Sequence, residues 1–180
     1  MIYNERDLRN EQALFVARQM MTAARTAPKG KGVDIIETAT VTGNEIVILS
    51  EKMKQLYETN GMKFFLRDAD NILSAQAVVL IGTRPKEQGL NCGHCGYAAC
   101  ADRKPGVPCA INTIDVGIAV GSACATAADF RVDTRVMFSA GLAAQNLQWL
   151  EGCECVLAIP VSIASKNPFF DRKPKEDNKK

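Results

Sequence analysis

Residues 83–112 constrain this chain more than any other stretch. They hold Gly89, Gly93, Gly96 and Gly106, Pro85, Pro105 and Pro108, and four cysteines, Cys92, Cys95, Cys100 and Cys109. A long connection without periodic structure is uncommon inside a compact domain, and where it occurs it usually carries function. The residues between the cysteines are mostly glycine, proline, alanine and charge, so this segment cannot build a core of its own. Something other than apolar burial has to hold it, and a metal centre is the natural candidate.

The spacing is C-x2-C-x4-C-x8-C. Thiolates select zinc or iron–sulfur centres. Structural zinc usually takes two paired C-x2-C knuckles, and this chain has one. Clustered cysteines at spacings of two, four and more residues are typical of iron–sulfur ligation. Gly93 and Gly96 free backbone amides to turn towards sulfur, and Tyr97, Ala98 and Ala99 can shield the centre. With four local ligands, [4Fe–4S] is preferred over [2Fe–2S], although four thiolates hold either, and zinc is the other alternative. The remaining cysteines, Cys124, Cys153 and Cys155, lie in apolar patterns where a thiol packs as a small hydrophobe. His94 is the only histidine, and it reads as a neighbour of the centre or a surface residue rather than as a catalytic base. There is no Walker-type or G-x-G-x-x-G motif.

The surroundings agree with a reducing compartment. The N-terminus is polar and mixed in charge, unlike a signal peptide, and no apolar run reads as long enough to span a bilayer. The expectation is a cytoplasmic protein that makes no membrane contact and whose seven cysteines stay reduced. Residues 171–180 carry five Lys or Arg and three acids, a surplus equal to the whole formal net charge of +2. The remaining body is balanced, which argues against nucleic acid as a partner. The expected organisation is one domain over residues 1–172, with the loop 83–112 inside it and a disordered basic tail at 173–180.

Elsewhere the patterns alternate. Residues 5–24 predict a helix with Leu14, Ala17, Met21 and Ala24 as its apolar stripe, stopped by Pro28. The run 25–32, Arg-Thr-Ala-Pro-Lys-Gly-Lys-Gly, follows. It reads either as a helix end complemented by cations or as a phosphate loop whose glycines let a ligand approach. Strand patterns occupy 33–42, 77–81 and 153–159, the last ended by Pro160. Helix patterns occupy 44–58, 64–74, 116–129 with Asp115 as its cap, and 134–150 with Asp133 as its cap. The last of these carries Val136, Ala140, Ala143, Leu147 and Leu150 as its stripe. Gly117, Gly121, Cys124 and Ala128 give the helix 116–129 a face of small residues. Strict βαβ alternation is missing, so the fold class is α+β, a three-layer sandwich with a central sheet.

Several runs together carry a resemblance: residues 24–32, the Phe-Leu-Arg-Asp-Ala at 65–69, the cysteine motif, residues 115–123, residues 132–137, and the Lys-Asn-Pro-Phe-Phe-Asp-Arg at 166–172. Over nearly its whole length the chain resembles an uncharacterised prokaryotic family described as containing a ferredoxin domain. That resemblance implies an iron–sulfur site at Cys92, Cys95, Cys100 and Cys109. A second resemblance is to the flavin-dependent nitroreductase fold, through Ala23-Ala24-Arg-Thr-Ala-Pro28, the alanine-rich helix after Asp115, and a strand reaching Pro160 that is followed by Lys166 or Arg172. It implies a nitroreductase-like sandwich and places FMN as a cofactor, its phosphate near Arg25, Lys29 and Lys31, with Lys166 or Arg172 in support. The usual N-terminal Arg-x-Ser-x-Arg motif of that fold is absent here.

Two functions stay open. One is an oxidoreductase whose cluster passes electrons to a flavin or another acceptor, a small molecule or a redox partner protein, the flavin lying between the subunits of a homodimer. The other is a non-enzymatic iron–sulfur carrier, sensor or structural metal module.

Overall fold

Ala77–Thr83 is buried along its whole length, and that single strand sets the architecture. Ala77, Val79 and Ile81 enter one apolar cluster, Val78 and Leu80 another. Successive strand residues point to opposite faces, so both faces must be covered. Each fully buried Val, Leu or Ile contributes roughly 1.5–3 kcal/mol, which makes this strand the most strongly held element of the sheet.

The computed structural model, which describes residues 1–170, shows how the faces are covered. Helix α1 (Glu5–Thr26) leads to strand β1 (Ile36–Val41), followed by helices α2 (Asn44–Asn60) and α3 (Phe64–Ile72). Strand β2 (Ala77–Thr83) precedes the long loop, then come α4 (Ala110–Asp129), β3 (Asp133–Thr134), α5 (Phe138–Asn146) and β4 (Glu154–Ser162). The four strands form one sheet in the order β1-β2-β4-β3, with every pairing antiparallel. Helices α1 and α4 close one face, and α2, α3 and α5 the other. This is the expected three-layer α+β sandwich. The tail at 173–180 and Arg172 lie outside the described residues.

The helix ends follow local chemistry. Asn4 Oδ1 accepts the Arg6 N–H at 3.0 Å, and α2 stops at Gly61, which stands at φ 67°, a conformation that favours glycine. The buried stripe of α1 is Ala13, Val16, Ala17, Met20 and Ala24. Leu14 and Met21, expected in that stripe, are only half-buried and lie at its flank.

Several boundaries differ from expectation. Helix α4 begins at Ala110, with Cys109 as its N-cap, so Asp115 is no cap. It sits in the second turn, 2 % exposed, and its carboxylate accepts the Gly30 N–H at 3.0 Å. The connection is accordingly 84–109, shorter than 83–112. The helix expected over 134–150 is confined to Phe138–Asn146. Asp133 and Thr134 pair with β4 instead, and Met137 exchanges two backbone hydrogen bonds with Ala158. As a result Val136 is exposed.

Strand β4 runs through Pro160, which was expected to end it. Because Ala158 turns both its N–H and its carbonyl to Met137, Pro160, two residues on, turns its donorless nitrogen to the same side. There the ladder lapses between Thr134 and Met137, so no bond is missed. Finally, α4 does meet the length and hydropathy for a bilayer span, contrary to the sequence reading. In the fold it packs as a helix of the α1 layer, with Val116, Ala119, Val120, Ala123 and Ala127 in the core.

A candidate iron–sulfur loop and its anchors

The loop between β2 and α4 has a pinned base and a free tip. Asn112, in the first turn of α4, is fully buried. Its Nδ2 donates to the Lys86 carbonyl at 2.8 Å and the Arg84 carbonyl at 3.4 Å. Its Oδ1 accepts the Gln88 side-chain amide at 3.0 Å. The outgoing limb is thereby tied to α4. Arg103 ties the returning limb: its guanidinium donates to the carbonyls of Val107 and Pro85 and to the Glu87 carboxylate. Buried polar groups held this way specify one arrangement of a segment that has no apolar core. Gln88 Oε1 and Arg103 Nε are buried without a hydrogen-bond partner.

The tip begins at Gly89, which stands at φ 66°. Asn91 closes it. Its Oδ1 accepts the Cys100 N–H at 2.8 Å, and its own N–H points to Cys100 Sγ at 3.4 Å. Asn91 adopts φ 47°, a left-handed conformation that asparagine tolerates better than most residues. Inside this closure Gly96 donates to the Gly93 carbonyl at 2.9 Å, with both glycines at positive φ. His94 is exposed, its Nδ1 3.0 Å from the Cys92 carbonyl oxygen, which agrees with a surface role. Cys92 is exposed, Cys95 and Cys100 are half-buried, and Cys109 is buried at the base.

All seven cysteines are free thiols. Among the described residues no three or more His, Cys, Asp or Glu side chains are gathered at metal-ligand range. The four clustered thiols nevertheless fit a thiolate-bound centre in donor chemistry. One sulfur already accepts a backbone N–H, and Cys109 caps α4 without a side-chain bond to it. That leaves the N–H groups of the first turn without a side-chain cap from Cys109, at a helix end that favours negative charge.

The rival cysteines are poorer donors. Burial pushes the Cys124 thiol up, against a hydrogen bond with Thr134. Burial also raises Cys153, with Arg84 opposing and Glu37 adding to the effect, and raises Cys155, where Glu154 adds to it. The thiolate is the ligand, so these three are disfavoured. Cys155 also stands at φ 53°, where the β2–β4 register shifts, so Cys153 and Cys155 do not share the face of a regular strand.

Three of the cations expected around a flavin phosphate, Arg25, Lys29 and Lys31, are engaged within the chain. Arg25 donates to Asp34 Oδ2 at 2.7 Å and to the Ile36 carbonyl at 2.6 Å. Lys29 Nζ donates to the carbonyls of Ala24, Arg25 and Ala27, and so complements the C-terminus of α1. Lys31 Nζ reaches the loop base, donating to the Gln88 carbonyl at 2.9 Å. Lys166 lies after β4, in the segment that leads to the buried Phe169.

The sequence reading missed Gln88, Asn91, Arg103 and Asn112. Asn91 carried a signal, a residue tolerant of left-handed backbone directly before the first cysteine. Gln88 and Asn112 bond each other 24 positions apart, and Arg103 reaches back 16 positions to Glu87, which no local pattern displays.

Comparisons with known proteins agree with both halves of this picture. Residues 105–172 match the family described as "Uncharacterized protein containing a ferredoxin domain". Of the clustered cysteines, only Cys109 falls inside that match. An uncharacterized protein of Archaeoglobus fulgidus is 41% identical over 186 residues, covering 98% of this chain and 100% of the relative. The fold is that of nitroreductases. One with bound FMN from Desulfitobacterium hafniense superposes with a TM-score of 0.60 at 13% identity, covering 92% of each chain. Another with bound FMN, from Bacteroides fragilis, gives 0.61 at 11% identity, covering 92% of this chain and 84% of the other. A Lactococcus lactis nitroreductase in complex with nicotinic acid gives 0.61 at 13%, covering 92% and 81%.

Proposed function

This chain belongs to the family of uncharacterized proteins containing a ferredoxin domain, and from that premise we propose that it is an iron–sulfur redox protein. In this reading Cys92, Cys95, Cys100 and Cys109 hold one [4Fe–4S] cluster, and electrons pass on to a second acceptor. The observation that carries the proposal is the loop itself. Its outgoing limb is fixed to α4 by Asn112 and its two limbs to each other by Arg103, its tip carries three free thiols, and a fourth stands at the N-terminus of a helix.

When bound, such a centre supplies one-electron transfer. The chain's own part is positional and electrostatic. Asn91 holds the ends of the tip together. The turn closed by the Gly96 N–H on the Gly93 carbonyl leaves room beside it for sulfur. The first turn of α4 lends its N–H groups to the negative charge of the thiolates.

Protein prepared without air should contain about four iron and four labile sulfide per chain. Stoichiometric zinc without sulfide, after anaerobic expression in iron-replete cells, would remove the proposal in favour of a structural zinc module.

A flavin is one candidate acceptor, supported by the FMN in the nitroreductases of the same fold. Its phosphate would have to displace the internal partners of Arg25, Lys29 or Lys31. That observation favours a second reading, a cluster-bearing carrier or sensor without flavin. Titration of the cluster-loaded protein with FMN separates the two. Saturable quenching of flavin fluorescence at one FMN per chain supports the oxidoreductase, and no binding leaves the carrier or sensor.

A further inference from the structure

Lys31 stands at φ 55°, ψ 13° between two glycines. Left-handed backbone is unfavourable for any residue with a Cβ, and Gly32 beside it stands at φ 66°. For the backbone alone, glycine would serve better at position 31. The side chain gives the reason for a lysine. Its ammonium crosses from the 30–32 turn to the base of the cysteine loop and donates to the Gln88 carbonyl at 2.9 Å. Gln88 is 6 % exposed, is held from the other side by Asn112, and directly precedes the glycine that opens the tip. The turn that carries Lys31 is fixed in its own right, because the Gly30 N–H is held by the buried Asp115 of α4. Lys31 and Asn112 thus grip Gln88 from two elements that are themselves tied together.

We infer that Lys31 is a positioning residue for the iron–sulfur site. By fixing the Gln88 carbonyl it sets where the chain leaves the loop base at Gly89, and so where Cys92, Cys95 and Cys100 meet Cys109. The inference rests on the proposed cluster, and its signature is a separation of global stability from cluster retention. A residue with a merely structural role would move both together. Here, replacing Lys31 with glycine relieves the left-handed backbone while it frees the loop.

The test uses the full chain, reconstituted anaerobically, as Lys31→Gly, Lys31→Met and Lys31→Arg. Three quantities are read: the thermal midpoint, amide hydrogen exchange over residues 84–89 with and without iron, and the rate of iron loss to a ferrous chelator. Lys31→Gly should keep or raise the midpoint, yet exchange at 84–89 and lose iron about tenfold faster, since an ammonium–carbonyl bond of this kind holds about that factor. Lys31→Met should show the same losses, and Lys31→Arg should recover most of the retention because a guanidinium can reach the same carbonyl. A natural chain that loads normally beside a Lys31→Gly chain with unchanged exchange and unchanged iron loss overturns the inference alone. A natural chain that takes up no iron and sulfide overturns the proposed function and this inference with it.

Discussion

Cys109→Ser, prepared without air, should lose most of its iron and sulfide or return an altered cluster spectrum, while Cys124→Ala, Cys153→Ala and Cys155→Ala keep theirs. Cys92, Cys95 and Cys100 lie within one short closed tip, so the open question is the fourth ligand. Pro105 and Pro108 restrict the chain before Cys109, which lowers the entropy lost when the loop closes on it. The rivals are disfavoured because burial raises all three of their thiols.

The substitution also separates ligation from packing. Cys109 is the N-cap of α4 and makes no side-chain capping bond, whereas serine is among the best N-caps, with capping effects of about 1 kcal/mol. A hydroxyl buried at this 5 % exposed position costs a comparable amount unless it makes that bond. The iron-free variant should therefore unfold within about 1 kcal/mol of the natural chain. Collapse of the iron-free fold would assign Cys109 to packing. A full, unaltered cluster in Cys109→Ser, with loss in one of the other three variants, would show that the fourth ligand lies elsewhere.

Gly141→Ala should be the most damaging single-methyl change in the structure. Helix α5 lies so close to β4 that a Cβ at Gly141 would collide with the Val156 carbonyl oxygen and come within 2.7 Å of the Leu157 Cα. Both obstacles are backbone, so neither can rotate away. In a helix interior, Gly to Ala ordinarily stabilises by up to about 1 kcal/mol. Overpacking of a core costs typically about 1–3 kcal/mol, and here α5 must lift from the sheet, so the upper figure applies. The net expectation is a loss of about 2 kcal/mol, or a midpoint lower by roughly 4–8 °C for a chain of this size. Gly117→Ala and Gly121→Ala are the controls. They sit in α4 with nothing within 4 Å of the added methyl, so they should be neutral or slightly stabilising. Equal midpoints for Gly141→Ala and Gly117→Ala would disprove the close approach.

Much of the frame was legible in the chain itself. Residues 77–81 are apolar without interruption, and such a run has to be buried on both faces. That already requires helices above and below a sheet. The clustered thiols and glycines likewise read as a loop built for a ligand, because no core-forming residues lie between them. These features were visible because they depend on neighbours in sequence: periodicity fixes which way a side chain points, and ring closure between nearby cysteines loses little entropy.

The ends of elements and the anchoring of the loop were decided by contacts between distant residues. Asp115 has the side chain of a helix cap and stands before an apolar run, yet its carboxylate meets the backbone of Gly30, 85 positions away. Once that contact pins the second turn, α4 extends back to Cys109. Pro160 has the ring that ends strands, but the pairing of Met137 with Ala158 leaves its nitrogen facing a gap in the ladder, so the strand continues. Lys29 and Lys31 sit two positions apart in one glycine-rich run, and nothing in that run separates their roles. The fold sends Lys29 back to the carbonyls of its own helix and Lys31 across to Gln88, 57 positions on. The local pattern shows two cations on one glycine-rich turn. An ammonium bonds whichever acceptors the fold brings within its reach, so only the packing of α1 and α4 against the sheet determines which carbonyl each one meets.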